Sequence, residues 1–399
     1  MKECGVDADK KVLLYASGNI INTRQTGGVK RFIELAQYSV EKEIKIGRYK
    51  IYSDLCCSEN NDILKKAGLK AKYHMHELPQ IKLFKFIPPE ACIFLRNKCV
   101  FREIKKEKYD AVIVFDVPPA IGLCLARVKN IILMIRKDMI GYEKVSVNGQ
   151  INLKKRLKIA MQWLSEGITL LKAKTVICQC EYDKNVLLKR HGFIRKVIEA
   201  KFRIQINNVN PSWIINKSLT DETTGLNRDK SEFWVCFIGE FEDLRKGQEL
   251  FLKAAESIVK KEGAVRFILI GGGKKLNIYK EKYNHPYIKF LGRMDNPLSL
   301  LKKTDMLVVP SLADSCPNTI MEALYNEVPV IGSNAGGIPE MINDDSAVFD
   351  LEWSILEKKI TQIYRDKVYY KELKEKQKKR KEELSFNWTE IIFKLLING

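Results

Sequence analysis

Residues 305–342, DMLVVPSLADSCPNTIMEALYNEVPVIGSNAGGIPEMI, constrain the fold more than any other stretch of the chain. Met306–Val309 is an apolar run suited to a buried strand, and Pro310–Pro317 after it, with Ser, Asp and two prolines, turns the chain. Pro317 suits a first helical turn because it needs no backbone donor there, and Ile320, Met321, Ala323 and Leu324 supply an apolar face. Val328–Ile331 reads as a second strand, followed by Gly332, Gly336, Gly337 and a further short helical pattern. The sum is a β-α-β unit with both ligand-facing loops on one edge. Ligands of such units settle outside the carboxyl ends of the strands, where helix N-termini offer unpaired N–H groups to phosphate oxygens. Asp314 and Glu322 are the charged residues placed to share that crevice, since helical side chains lean toward the N-terminus. A loop carboxylate and a solvated helix residue would give the same pair, so the two acids alone assign nothing.

The whole stretch is more specific. It resembles the donor-site signature of glycosyltransferase family 4, in which a Pro-Ser strand end is followed by acid, seven residues, acid, then Glu-Ala-Leu/Met, a Pro-Val strand and a Gly-Gly turn. Here those positions read Pro310, Ser311, Asp314, Glu322, Ala323, Leu324, Pro329, Val330, Gly336 and Gly337. One departure is Asp314, where the family usually has Glu.

At 399 residues the chain exceeds one ordinary core, and two or three domains are expected. Hydrophobic residues at 45% and charged residues at 30% argue against both disorder and a membrane bundle. The net charge of +20 is lopsided: residues 1–205 hold 40 Lys and Arg against 21 Asp and Glu, whereas residues 206–399 hold 29 against 28. A basic N-terminal half suits an anionic membrane surface or an acidic acceptor; a Lys-rich bias spread over solvated faces is the alternative, although a genome-wide bias should not stop halfway along one chain. The ten cysteines are scattered without metal-ligand spacing and read as reduced core residues. With no secretory signal and no apolar run of roughly 18–20 residues, the protein is expected to be cytoplasmic, at most peripheral on the inner face of a membrane.

The N-terminal half alternates strand-like and helix-like patterns. Lys11–Ser17 is a first strand, and a polar loop then leads to Thr26-Gly27-Gly28 and an amphipathic segment, Val29–Val40. Gly27 and Gly28 would let backbone approach a ligand at a helix start, with Lys30 and Arg31 beside them; a plain turn explains them equally simply. Lys50–Ser53, Ala111–Phe115, Ile131–Ile135 and Thr175–Cys178 are further strand candidates, giving a doubly wound parallel sheet that closes near residue 205. Two segments mix apolar and basic residues. Ile81–Val100 is broken by Pro88-Pro89, and Asn152–Lys174 is a better helix, with Leu153, Leu157, Met161, Leu164, Ile168 and Leu171 at three- and four-residue spacing. An ordinary helix packed on the sheet is the expectation for the second, and the first is the stronger candidate for lipid contact.

The second half repeats the alternation. Phe233–Ile238 is a strand ending in Gly239, Gln248–Lys260 a helix, and Arg266–Ile270 and Tyr287–Leu291 are strands. The intervening loop, GEFEDLRKG, resembles the family loop in which Lys before Gly contacts the donor pyrophosphate, which gives Lys246 that role. The family commonly has Arg directly after the first Gly; Glu240 stands there instead and would repel phosphates, with Arg245 a possible substitute. Beyond Val348–Asp350 come charged helical patterns through Leu384; the run Lys371–Glu383 reads as a solvated helix. Phe386-Asn387-Trp388 opens a terminal segment resembling the family's last helix.

The resemblance implies an α/β, GT-B architecture: two Rossmann-like doubly wound parallel-sheet domains facing across a cleft, over 1–205 and 206–384, with a helix at 385–399 crossing back to the first. It implies a retaining, metal-independent transferase using a UDP- or GDP-linked nucleotide sugar, with no other cofactor. Lys246, Arg245, Gly239 and backbone around Ser315, Cys316, Pro317 and Asn318 would hold the diphosphate, Glu322 the ribose and Asp314 the transferred sugar. Gly27, Gly28 and Lys30 would line the acceptor side. The family's frequent His at the end of the fifth strand is replaced by Arg136, which cannot act as a base; it would bind an anionic acceptor or the departing phosphate, with Asp138 as a nearby polar partner, or be an ion-pair residue at the cleft edge. The acceptor would be a glycan or lipid-linked sugar. A catalytically silent member of the fold and a basic nucleic-acid binder are the rival readings; no recognised nucleic-acid module supports the latter.

Overall fold

The computed structural model describes residues 11–15, 31–37, 45–46, 49–50, 52–58, 73–75, 94–95, 97–145, 152–208, 226–242, 244–294 and 296–398. The chain divides into two compact units, one of residues 1–140, 150–205 and 387–399, the other of residues 141–149 and 206–386. The short excursion at 141–149 departs from the simple boundary expected at residue 205.

In the first unit the strands are β1 (Lys11–Tyr15), β2 (Lys45–Ile46), β3 (Tyr49–Lys50), β4 (Tyr52–Ser58), β5 (Tyr73–Met75), β6 (Ala111–Phe115), β7 (Ile131–Ile135), β8 (Thr175–Cys178) and β9 (Phe202–Ile204). Seven of them form one sheet in the order β5-β4-β1-β6-β7-β8-β9, and β2 pairs with β3 apart from it. Every pairing in the large sheet is parallel. β6, β7 and β8 are buried at every residue, as strands covered on both faces must be. The strand expected at Lys50–Ser53 lies further along, because Tyr52 is the residue that pairs with Lys11 of β1.

The helices of this unit include α1 (Lys98–Glu107), α2 (Val117–Leu125), α4 (Leu153–Lys172) and α5 (Glu181–Arg190), while α3 (Met139–Val145) runs from it into the 141–149 excursion of the second unit. Asn152 caps α4, its side chain accepting from the Lys155 N–H at 3.0 Å. α4 is a helix packed on its unit, but not through its leucine stripe. Gln162, Ser165, Glu166, Gly167, Thr169 and Leu170 are buried, while Leu153, Leu157, Met161, Leu164 and Leu171 are exposed. Two of the inward polar groups find partners, since Thr169 Oγ1 donates to the Ser165 carbonyl at 2.7 Å and Glu166 pairs with Arg190 and His191, whereas Gln162 Oε1 has none among the described residues. Of Ile81–Val100, residues 81–93 and 96 lie outside the described residues; Phe94 stacks on Phe101 of α1, and Leu95 is exposed.

The second unit holds β10 (Phe233–Ile238), β11 (Val265–Ile270), β12 (Ile288–Gly292), β13 (Met306–Val309), β14 (Val330–Ser333) and β15 (Val348–Phe349), ordered β12-β11-β10-β13-β14-β15 and parallel throughout. Its helices include α6 (Gln248–Val259), α7 (Asn318–Tyr325), α8 (Ile338–Ile342), α9 (Trp353–Arg365) and α10 (Lys367–Glu383). Pro317 precedes α7 with extended backbone rather than opening its first turn. β14 starts at Val330, two residues later than expected, since Pro329 has no N–H to give a ladder; its carbonyl instead accepts from Leu307 at 2.8 Å. α10 is more than a solvated helix. Leu373 and Gln377 are buried, and the Gln377 amide donates to the Val330 carbonyl at 2.6 Å while accepting from its N–H at 2.8 Å.

The terminal helix, α11 (Trp388–Asn398), belongs to the first unit. Trp388 is buried there beneath Arg31, whose guanidinium lies 4.9 Å from the indole centre and pairs with Glu34 at 3.1 Å.

Candidate nucleotide-sugar site

The strand order locates the site. β10 leads to β11 and β12 on one side and the chain then returns to place β13 on the other, so the loops after β10 and β13 diverge at a topological switch point, where open α/β sheets bind ligands. Lys246 comes from the first loop and Asp314 from the second. They meet with Nζ donating to Oδ2 at 2.6 Å, their side chains 28% and 15% exposed. An ammonium has three hydrogens, so this bond leaves Lys246 able to donate further toward the crevice.

Two glycines make the meeting possible. Gly247 has φ of +71°, and a Cβ on it would stand 1.9 Å from the Pro310 carbonyl oxygen; Gly336 has φ of +60°, and a Cβ there would stand 2.1 Å from the Asp314 carbonyl oxygen. The first lets the β10 loop lie against the end of β13, where the Leu312 N–H donates to the Arg245 carbonyl at 2.6 Å. The second lets the loop after β14 close on Asp314, the Gly337 N–H donating to its carbonyl at 2.9 Å. Behind them, Ser333 Oγ donates to the buried Ser311 carbonyl at 2.5 Å.

The remaining residues expected on the donor side surround this pair. Ser315, Cys316 and Pro317 are buried and lead into α7, and Asn318 is its first residue. The Asn318 side-chain Oδ1 is buried without a partner among the described residues. Glu322 is half-buried just over one turn into α7. Gly239 directly follows β10, its N–H donating to the Ile270 carbonyl at 2.9 Å. The Arg245 guanidinium lies 4.0 Å from the ring centre of Tyr142, whose hydroxyl accepts from the Ser315 N–H at 3.2 Å. Tyr142 is thus part of the second unit and of this site, which no sequence pattern signalled.

Glu240 is less disruptive than expected. Its carboxylate is paired with the Arg293 guanidinium, so the charge that would repel phosphates is offset locally. Arg293 directly follows Gly292 at the carboxyl end of β12, a position on the site edge that the strand pattern alone could have indicated.

In the first unit, Arg136 follows β7 and Asp116 follows β6. The Arg136 N–H and Nε donate to Asp116 at 3.0 Å each, Nη2 pairs with it as well, and the guanidinium lies 5.4 Å from the Phe115 ring centre. Asp116 takes φ of +64°, uncommon for a residue with a side chain, at the start of α2. Arg136 is therefore an ion-pair residue at a strand edge with 18% of its side chain exposed. Asp138 is not its partner. Both Asp138 oxygens accept from Arg190 Nη2, at 2.6 and 2.7 Å, and Arg190 Nη1 reaches Glu166 at 2.9 Å. Burial works to push the Arg190 pKa down, but Glu166 and Asp138 more than reverse this and hold it above the usual arginine value. Gly27, Gly28 and Lys30 lie outside the described residues. Among the described residues no cluster of His, Cys, Asp and Glu is arranged to hold a metal ion.

Residues 232–366 match the family described as glycosyl transferases group 1. Over its whole length the chain is similar to a sucrose-phosphate synthase from Thermosynechococcus elongatus, with a TM-score of 0.72, 16% identity and 98% of each chain covered. The family match lies within the second unit, and the likeness over the chain gives the fold as GT-B. Among curated relatives, the chain is 29% identical over 117 residues to the N-acetyl-alpha-D-glucosaminyl L-malate synthase of Bacillus anthracis, covering 28% of this chain and 30% of that protein. It is 25% identical over 278 residues to the UDP-Gal:alpha-D-GlcNAc-diphosphoundecaprenol alpha-1,3-galactosyltransferase of Escherichia coli, covering 67% of this chain and 68% of that enzyme.

Proposed function

We propose that this protein is a retaining, metal-independent glycosyltransferase. It moves a sugar from a UDP- or GDP-linked donor to a glycan or lipid-linked acceptor, as a peripheral protein of an anionic membrane, in cell-surface polysaccharide or glycolipid synthesis. The observation that carries the reading is the meeting of Lys246 and Asp314 at the switch point of the second sheet. An ammonium there answers the charge that builds on a departing diphosphate, and the adjacent carboxylate suits hydroxyls of the transferred sugar. The E. coli relative, named for UDP-Gal and a diphosphoundecaprenol-linked sugar, supports the classes of donor and acceptor.

In this reaction the bond from the sugar's anomeric carbon to the diphosphate oxygen breaks and a bond to the acceptor oxygen forms on the same face. The acceptor proton leaves on the departing phosphate. Lys246, Arg245 and the backbone from Ser315 to Asn318 hold the diphosphate, Glu322 the ribose, and Asp314 the sugar. The first unit takes the acceptor, with Arg136, held by Asp116, facing an anionic group on it. The test mixes the protein with UDP-, GDP- and ADP-sugars and a membrane lipid extract and follows nucleotide release and product mass. A lipid-linked product that disappears in Asp314→Asn and Glu322→Gln and persists in EDTA is expected; no turnover with any donor would sink the proposal.

A further inference from the structure

α4 is amphipathic in the reverse of the usual sense. At 3.6 residues per turn, Leu153, Leu157, Leu164 and Leu171 fall within about 40° of one another around the axis. All four point away from the unit, Leu153 at 73%, Leu157 at 61% and Leu164 at 50% exposure. A stripe of this kind ordinarily faces a core. Here the core side is taken by Gln162, Ser165, Glu166 and Thr169, and Gly167 brings the helix so close to His191 that a Cβ would stand 3.3 Å from its ring. Trp163 extends the apolar surface sideways by stacking on His191 at 5.4 Å and touching Phe193 at 5.7 Å, itself 72% exposed.

The charges around the stripe share one sign. Arg156 and Lys172 of α4, both exposed, flank the stripe on either side at about 60–100° from it, and the helix's single carboxylate, Glu166, is buried on the opposite side in its pairs with Arg190 and His191. No described helix is long and apolar enough to cross a membrane, so a helix with this pattern lies on a bilayer rather than through it. We propose that α4 docks the protein on an anionic lipid surface, its leucines among the acyl chains and Arg156 and Lys172 at the headgroups. The proposal rests on the membrane setting of the proposed function and assigns that setting to one face of one helix.

Co-sedimentation of the full chain with vesicles tests it, using phosphatidylglycerol mixed with phosphatidylcholine beside phosphatidylcholine alone. The expected result is binding to the anionic vesicles, weakened at least ten-fold by Leu157→Glu with Leu164→Glu and several-fold by Arg156→Gln with Lys172→Gln, the second loss growing smaller at high salt. Both leucines are exposed, so thermal unfolding should be unchanged in the first variant. Binding that ignores the leucine substitutions would overturn the proposal. So would absence of vesicle binding together with a concentration-dependent dimer that Leu157→Glu dissolves, which would make the face an interface between copies. Calorimetric titration of the same samples with nucleoside diphosphates separates the two readings: vesicle binding that follows the leucines stands even where no nucleotide binds, and nucleotide binding stands where vesicle binding fails.

Discussion

Lys246 and Asp314 support a prediction with opposite signs for the two partners. Their side chains keep 28% and 15% exposure, so solvent screens the pair and it contributes only about 1 kcal/mol to stability. Lys246→Met should therefore lower the melting temperature by only about 2–4 °C. Its effect on ligand is larger, because a charge-assisted bond to phosphate contributes roughly 1.5–3 kcal/mol, which corresponds to a loss of about 10–150-fold in nucleoside diphosphate affinity. Asp314→Asn removes the competitor that engages Lys246 at 2.6 Å. The same diphosphate should then bind as well as before or up to about five-fold tighter, the equivalent of about 1 kcal/mol, while sugar transfer is lost. Calorimetric titration with the nucleoside diphosphate of the active donor reads both effects, and nucleotide-release kinetics read transfer. Equal weakening by both substitutions would refute the reasoning, since Asp314 would then be holding the nucleotide itself; unchanged affinity in Lys246→Met would remove Lys246 from the phosphate site.

Arg293→Ala should raise the donor KM about two- to five-fold by leaving Glu240 unpaired, and Glu240→Gln added to it should restore the value; steady-state kinetics on the three variants check this, and the effect is small because both side chains are about half exposed. Gly336→Ala should destabilise the second unit by about 1–3 kcal/mol and abolish transfer, because its Cβ would collide with the Asp314 carbonyl at a positive φ; urea unfolding measures the first and nucleotide release the second. Gln377→Leu strips both backbone bonds to Val330 and should cost about 2–3 kcal/mol in the same unfolding assay, with nucleoside diphosphate affinity unchanged in the folded protein.

Much of this was legible in the sequence wherever one physical cause dominated. Ala111–Phe115, Ile131–Ile135, Thr175–Cys178, Phe233–Ile238 and Met306–Val309 are strands at the expected residues, because apolar runs covered on both faces end abruptly at polar or turn residues. Lys246 and Asp314 could be nominated because each follows a strand that ends on the same edge. What the sequence hid were choices settled by partners far along the chain. The period of α4 reveals two faces but not which turns inward; that depends on Arg190 and His191 being in place to receive Glu166. Arg136 and Asp138 are two residues apart yet belong to different ion pairs, one with Asp116 and the other with Arg190. Glu240 is hostile to phosphate by its type alone, and only the fold brings Arg293, 53 residues on, beside it. Tyr142 joins the site through the 141–149 excursion, which no boundary residue announces.

The central claim is that the crevice around Lys246 and Asp314 holds a nucleotide sugar for transfer. Its most direct test is nucleotide release and product mass with UDP-, GDP- and ADP-sugars in the presence of a membrane lipid extract, wild type beside Asp314→Asn. The account predicts release from one donor and a lipid product heavier by one sugar residue, both absent in the variant. Turnover that survives Asp314→Asn, or no release from any donor by a folded wild-type protein, would contradict it.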